Sequence, residues 1–395
     1  MRILVFCDED LSIAAGGARQ VLEFAKALSL RTHTIRIVAP QLVQGNQLAR
    51  EFATVSFRPV SVWRLAGLRP LSFLIASWKV LREELLSWRP DVLLWFDSPG
   101  QIAPLLALSN HACASVLFVN GFPEEEVQGI WRLPFIRWAL RAALKTAARR
   151  AQAVVSICLE IVTQMQDAWS IPPERCHVIR NGVDGDRFHP QSHELARKAL
   201  GLPAKGLYIG FVGGFFPWHG LESLIEAVPF VRAKVPSVSF WLVGEGQTRQ
   251  PLEQMVQQKG LTKIVHFVGR ADWAQVPTWI AACDVCVVLH RQTRSYPGDS
   301  MKLWEYLSCG RPVITTVGPG YGETVEAIGC GLATEPDDAQ DLARQLVRLL
   351  EDPDERLKMG DRGRMAVIQA HTWGARAQEL EHVCNAALAA TRRTA

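Results

Sequence analysis

No stretch of the chain approaches the roughly 18 uninterrupted apolar residues that a membrane-spanning helix needs, so none is expected. The start, MRILVFCDED, lacks the basic region and apolar core of a secretion signal and reads as a strand running into acids. Internal repeats and low-complexity tracts are missing, which excludes solenoids and biased linkers. Charge of one sign is not in excess. The 43 Lys and Arg against 39 Asp and Glu leave a net +4, too little to point to nucleic acid. The nine cysteines do not form the pattern of a disulfide framework or a zinc site. Their number is odd, and the one Cys283-x2-Cys286 pair sits in the strand-like CDVCVVL with no second pair near it. Reduced, buried thiols in a cytoplasmic protein account for them, and no metal is expected.

What the chain does have is bulk and alternation. Its 395 residues, 48% hydrophobic and 21% charged, exceed one ordinary core and suggest two domains. Short apolar runs at 3–7, 35–39, 92–96, 115–119 and 153–156 alternate with helical patterns, which marks parallel strands joined by crossovers. The first run leads to Gly16-Gly17 and a helix over 18–30, with Val21, Leu22, Phe24, Ala25 and Leu28 on its inner side. Strand, glycine pair, helix is the layout of a doubly wound sheet, where glycine lets backbone approach a ligand. A turn with no ligand explains the pair equally well. The pattern restarts at 207–212, again ending in a glycine pair, Gly213-Gly214, before FFPWHG and another helix. Further strand-to-loop units end at Gly244 and at Arg270.

The densest chemistry lies in 296–326, YPGDSMKLWEYLSCGRPVITTVGPGYGETVE. Helical spacing over 301–309 turns Leu303, Trp304 and Leu307 inward, Gly310 stands where a C-cap glycine would, and Pro312 blocks continuation. VITT then suits a buried parallel strand. Lys302 and Glu305 fall three apart on one helix face. A helix start beside the C-terminal edge of a sheet attracts anions through its free N–H groups and dipole, so the pair suits a ligand. A surface ion pair fits the same spacing.

The phrases IRNGVDGDRF, GFVGGFFPWHG and KLWEYLSCGRPVI, with GGARQVLEFAKAL near the start, resemble the retaining glycosyltransferases of family 4, in the right order along essentially the whole chain. The resemblance implies an α/β chain of GT-B architecture, two facing Rossmann-like domains with a cleft between them. It puts an acceptor-side domain at 1–190, a linker at 191–206, a nucleotide-sugar domain at 207–371, and a last helix at 372–395 crossing back to the first domain. The second Glu of the family's Glu-x7-Glu pattern falls on Glu305, which is implied to hold a ribose. The first falls on Pro297, as in a short-motif subgroup. Where the family places a lysine before the last glycine of its loop, this chain has His219, which leaves more of the phosphate charge to Lys302; a capping role for His219 stays open. The family's acceptor-side His falls on Asn120, which can hydrogen-bond a sugar hydroxyl but cannot act as acid or base. Gly16, Gly17, Gly213, Gly214, Gly244, Arg270, Gly320, Tyr321, Gly322 and Glu323 are implied to line the donor and its diphosphate, with Glu326 a structural residue.

The implied reaction moves a sugar from a nucleotide diphosphate sugar to an acceptor hydroxyl with retention, in surface polysaccharide or glycoconjugate synthesis, without metal or other cofactor. Front-face attack, with the leaving diphosphate taking the acceptor's proton, puts Lys302, His219 and the Gly213 and Gly214 amides against the developing charge. A sugar-nucleotide epimerase is the less apt reading, since the needed acid–base side chains are not found. A catalytically silent donor-binding subunit fits the departures at Pro297, His219 and Asn120.

Residues 131–150 carry two stripes: Trp131, Phe135, Trp138 and Ala142 on one, and Arg137, Arg141, Lys145 and Arg149 on the other, with Arg132 and Arg150 adding charge. Such a helix is the signature of peripheral membrane contact. A domain helix with its aromatic stripe in the core has the same pattern. Residues 71–88, with Trp78, Lys79, Arg82 and Trp88, would add to a membrane face. The expected location is cytoplasmic, with the inner face of the membrane as its finer form.

Overall fold

The structure is a computed structural model that describes residues 1–12, 16–40, 51–62, 69–97, 102–109, 113–122, 133–291 and 298–394. The chain divides into two compact units, Met1–Asn181 with Trp373–Ala395, and Gly182–Thr372.

The first unit is built on a seven-stranded sheet of β1 (Arg2–Phe6), β2 (Thr34–Pro40), β3 (Val55–Val60), β4 (Val92–Phe96), β5 (Ala114–Val119), β6 (Ala153–Ser156) and β7 (Cys176–Val178). Every pairing is parallel, in the order β3-β2-β1-β4-β5-β6-β7. Strands β4, β5 and β6 are buried throughout, which is why they read as unbroken apolar runs. The sequence pattern misses β3. It is an edge strand with an exposed middle and a proline, Pro59, which only an edge tolerates easily. The last helix, Trp373–Thr394, packs in this unit, with Trp373 edge-on to Phe24 at 5.0 Å and Glu381 ion-paired to Arg31 at 2.6 Å. Helix Pro134–Arg150 buries Leu140, Leu144, Ala147 and Ala148 and leaves Phe135 and Trp138 exposed, so its aromatic stripe is not core. Trp131 and Arg132 lie outside the described residues.

The second unit is a six-stranded parallel sheet of β8 (Leu207–Val212), β9 (Val238–Val243), β10 (Val265–Gly269), β11 (Val285–Val288), β12 (Val313–Thr316) and β13 (Gly331–Thr334), in the order β10-β9-β8-β11-β12-β13. Residues 191–206, read from sequence as linker, carry the helix His193–Ala199, capped by the Ser192 hydroxyl. It belongs to this unit because Arg197 is buried and pairs at 2.8 Å with the equally buried Asp284.

Candidate functional site

In a doubly wound sheet, ligands gather where the strand order reverses. In the second unit that point lies between β8 and β11, which pair only at Ile209–Val285 and Gly210–Cys286. Beyond Gly210 the strands part, and the buried Tyr306 hydroxyl takes over: it accepts from Val212 N at 2.7 Å and donates to Val212 O at 2.9 Å. Gly213 and Gly214 follow β8 at this opening, and the chain after β11 leads to helix Met301–Ser308. The helix buries Leu303, Trp304 and Leu307. It ends in a Schellman motif, with Gly310 at φ +70 and bonds from Gly310 N to Leu307 O and from Arg311 N to Tyr306 O.

Lys302 lies at the other end, one residue into the helix. Its side chain crosses Gly213 so closely that a Cβ there would sit 2.6 Å from Lys302 Cδ. Nζ is 3.2 Å from Nε2 of His219 and 5.5 Å from the centre of the Phe211 ring. Nδ1 of His219 is 2.7 Å from the Gly214 carbonyl oxygen. A carbonyl only accepts, so Nδ1 carries the ring proton and Nε2 is left to accept from the ammonium. Desolvation pushes Lys302 down to about 8, against the opposing pull of Glu305. Glu305 is itself 8% exposed, and the pair is therefore not a surface ion pair. Immediately before it in the helix, Trp304 donates its indole N–H to Asp299 and stacks on His371 at 3.8 Å.

The glycine loops are less open than their sequences suggest. Gly213 N donates to Val243 O at 2.9 Å and Gly244 N to Gly269 O at 2.8 Å, so both amides are spent on the sheet. The Gly213 amide is accordingly corrected out of the expected anion cradle. Among the described residues, Gly214 N has no such partner. Arg270 is exposed just past β10. Gly320, at φ +83, caps helix Tyr321–Ile328, where Tyr321 and Gly322 are buried and Glu323 and Glu326 are exposed; the exposure gives Glu326 no packing role. Pro297 lies outside the described residues.

In the first unit, helix Gly16–Leu30 starts at the exposed Gly16, and a Cβ on Gly17 would lie 2.6 Å from Glu9 Oε1. Asn120, just after β5, donates its Nδ2 to Gln20 Oε1 at 2.7 Å, and Gln20 Nε2 donates to Asn181 Oδ1 at 2.8 Å. Neither Gln20 nor Tyr306 stands out in the sequence. Gln20's signal is its place one helical turn beyond Gly16-Gly17, and Tyr306's its place beside Glu305. Among the described residues, no group of three or more His, Cys, Asp or Glu is arranged to hold a metal ion.

Comparison with known proteins bears on both units. The family model described as Glycosyltransferase Family 4 matches residues 14–187, and the one described as Glycosyl transferases group 1 matches residues 192–366. The GDP-mannose-dependent monoacylated alpha-(1-6)-phosphatidylinositol monomannoside mannosyltransferase of Corynebacterium glutamicum is 26% identical, over 76% of this chain and 78% of its own. Sucrose-phosphate synthase from Thermosynechococcus elongatus superposes with a TM-score of 0.82 at 19% identity, covering 98% of this chain and 99% of that one. WaaG, a glycosyltransferase involved in lipopolysaccharide biosynthesis, gives 0.73 at 18% identity, covering 96% and 99%. The fold is thus GT-B, two Rossmann-like sheets of seven and six parallel strands. With one family model on each half and most of the chain accounted for, the protein belongs to the family 4 glycosyltransferases, enzymes that transfer a sugar from a nucleotide sugar with retention of configuration.

Proposed function

We propose that this chain transfers a sugar from a nucleotide diphosphate sugar to a hydroxyl of a glycan or lipid-linked acceptor, in the making of a surface polysaccharide or glycoconjugate. The observation that carries the donor side is the Lys302 ammonium, held by His219 across Gly213 at the opening between β8 and β11. An ammonium that its surroundings desolvate to a pKa of about 8 gains strongly when an anion arrives. In this reading Lys302 neutralises the diphosphate, His219 holds Lys302 in place, and the Gly214 amide donates to a phosphate oxygen. Glu305 accepts from the ribose hydroxyls. Charge grows on the diphosphate as the glycosidic bond breaks, so these contacts strengthen in the transition state and lower the barrier. The diphosphate itself takes the acceptor's proton, and the scheme uses no metal. KLWEY behind Pro297 is read as a short form of the family motif.

On the acceptor side, the phosphatidylinositol mannoside in the name of the C. glutamicum relative supports a lipid-linked molecule. The involvement of WaaG in lipopolysaccharide biosynthesis supports a cell-surface product.

A thermal-shift screen against UDP-, GDP-, ADP- and dTDP-sugars tests the reading, because a ligand that binds only the folded form raises the melting temperature by mass action. One nucleotide class should stabilise the wild type and lose its effect in Glu305→Ala and Lys302→Ala. No shift with any donor, or a shift both variants keep, would remove the assigned site. A donor that binds but yields no product in the presence of membrane lipid extracts would leave a silent subunit.

A further inference from the structure

Large apolar side chains seldom stand in water as a group unless something covers them. In the first unit, helix Arg69–Ser87 packs on helix Ile102–Leu108, which packs in turn on helix Pro134–Arg150. Each of the three leaves a pair of large apolar side chains in solvent: Leu71 and Ile75, Ile102 and Leu106, Phe135 and Trp138. The spacing of three or four residues puts each pair on one face of its helix. Phe135 is 67% exposed and Trp138 73%. Aromatic rings normally repay their size by burial, and here the burial is supplied from the other side of the helix, by Leu140 and Leu144.

Charge identifies the occupant. Helix Pro134–Arg150 carries Arg137, Arg141, Lys145, Arg149 and Arg150 and no acid at all. On helix Arg69–Ser87, Lys79 and Arg82 are exposed, while its two acids are already engaged: Glu83 with Arg58 at 2.9 Å and the buried Glu84 with Arg36 at 2.6 Å. Exposed rings beside cations that no acid on their helix offsets match the headgroup level of an anionic bilayer, where rings sit at the interface and guanidinium groups meet phosphate. No helix among the described residues is long and apolar enough to cross a membrane, so the contact is peripheral.

We propose that these three helices form a docking face for a bilayer rich in anionic lipid, with Phe135 and Trp138 as its inserted wedge. The proposal deepens the lipid-linked acceptor reading and rests on it for its purpose, though not for its test. Flotation with phosphatidylcholine vesicles, and with vesicles one third phosphatidylglycerol, reads the binding directly. The wild type is expected to float with the anionic vesicles at low salt, to be released by high salt, and to float poorly with phosphatidylcholine alone. The double variant Phe135→Ser, Trp138→Ser should partition about tenfold less at an unchanged melting temperature, since both side chains stand in solvent. Arg137→Gln with Lys145→Gln, which spares Arg141 over the Phe122 and Trp169 rings, should lose the preference for anionic lipid. Absence of flotation at low salt, equal binding to both vesicle types, or full binding by the double serine variant overturns the proposal. So does concentration-dependent self-association without vesicles that the serine variant abolishes, because a second copy then covers the face. A protein that floats yet binds no nucleotide sugar supports this proposal and fails the transferase site.

Discussion

Nζ of Lys302 and Nε2 of His219 lie 3.2 Å apart, joining helix Met301–Ser308 to the loop after β8 across 83 residues of sequence. The same ring is held from its other nitrogen by the Gly214 carbonyl oxygen at 2.7 Å. The imidazole therefore meets the ammonium through the lone pair of Nε2. Fixed from both nitrogens, the ring orients the ammonium over Gly213.

That arrangement fixes a pH dependence. Lys302 is lowered from the ordinary 10.5 to about 8, first by desolvation, with Glu305 opposing. The ammonium is present below pH 8, so kcat/KM for the donor, which reads the free enzyme, should fall by about tenfold per pH unit above it. Stability moves the other way. Between pH 8 and 10.5 the unfolded chain keeps a proton that the folded chain has lost, so rising pH favours the folded form. Urea denaturation should show the wild type gaining on Lys302→Met by roughly 3 kcal/mol across that window. An alkaline limb that survives unchanged in Lys302→Arg would remove Lys302 as its source.

Glu305 carries a linked expectation. On the proposed ribose role, replacing the buried carboxylate by Glu305→Gln removes a charged hydrogen bond worth about 1.5–3 kcal/mol, so donor KM should rise by roughly 10- to 100-fold. The variant also loses the anion that favours the Lys302 ammonium, so the alkaline limb should move below pH 8. Kinetics with donors lacking the ribose 2′ and 3′ hydroxyls discriminate further: the KM penalty should vanish while the pH displacement remains. A penalty of the same size with the deoxy donors would mean that Glu305 does not read the ribose.

Tyr306→Phe tests the opening itself. The hydroxyl serves both the N–H and the C=O of Val212, and the residue is fully buried, so its loss strands two backbone groups without water. Each costs about 1–3 kcal/mol, and the urea midpoint should drop by an amount equal to at least 2 kcal/mol or so. A variant as stable as the wild type would show that Val212 finds another partner.

How much of this the sequence carries depends on whether a signal is local. Gly310 and Pro312 mark the end of the helix, and Leu303, Trp304 and Leu307 its buried face, because capping and periodicity act within a turn or two. Strand β3 escapes because an edge strand need not be apolar, and β13 because four residues, GLAT, hold too few positions for a pattern. The two readings of residues 131–150 could not be separated from spacing alone, since core and lipid select the same stripe. Phe135 and Trp138 decide against the core only once Leu140 and Leu144 are seen facing inward. The Gly213 amide looked like an anion donor because a glycine pair after a strand so often is one. Its bond to Val243 depends on how β8 and β9 align, which no residue near Gly213 reports.

Gly244 shows how that alignment supports the site. It holds φ at +143, and a Cβ there would run into the carbonyl oxygen of Gly213, which is backbone and has no rotamer to escape to. Gly213 is the surface under Lys302, so an added methyl must displace the seat of the ammonium as well as strain the loop. Gly244→Ala should therefore lose both stability and donor affinity. Gly201→Ala is the control. Its φ of +67 is equally left-handed, but nothing lies within 4 Å of the new Cβ, so only the backbone cost of about 1–2 kcal/mol applies. Denaturation and donor titration of the two variants should separate them: a similar direction of stability loss, with affinity falling only in Gly244→Ala. Equal affinity in both would mean that Lys302 does not depend on where Gly213 lies, and the seat would have to be sought elsewhere along the loop.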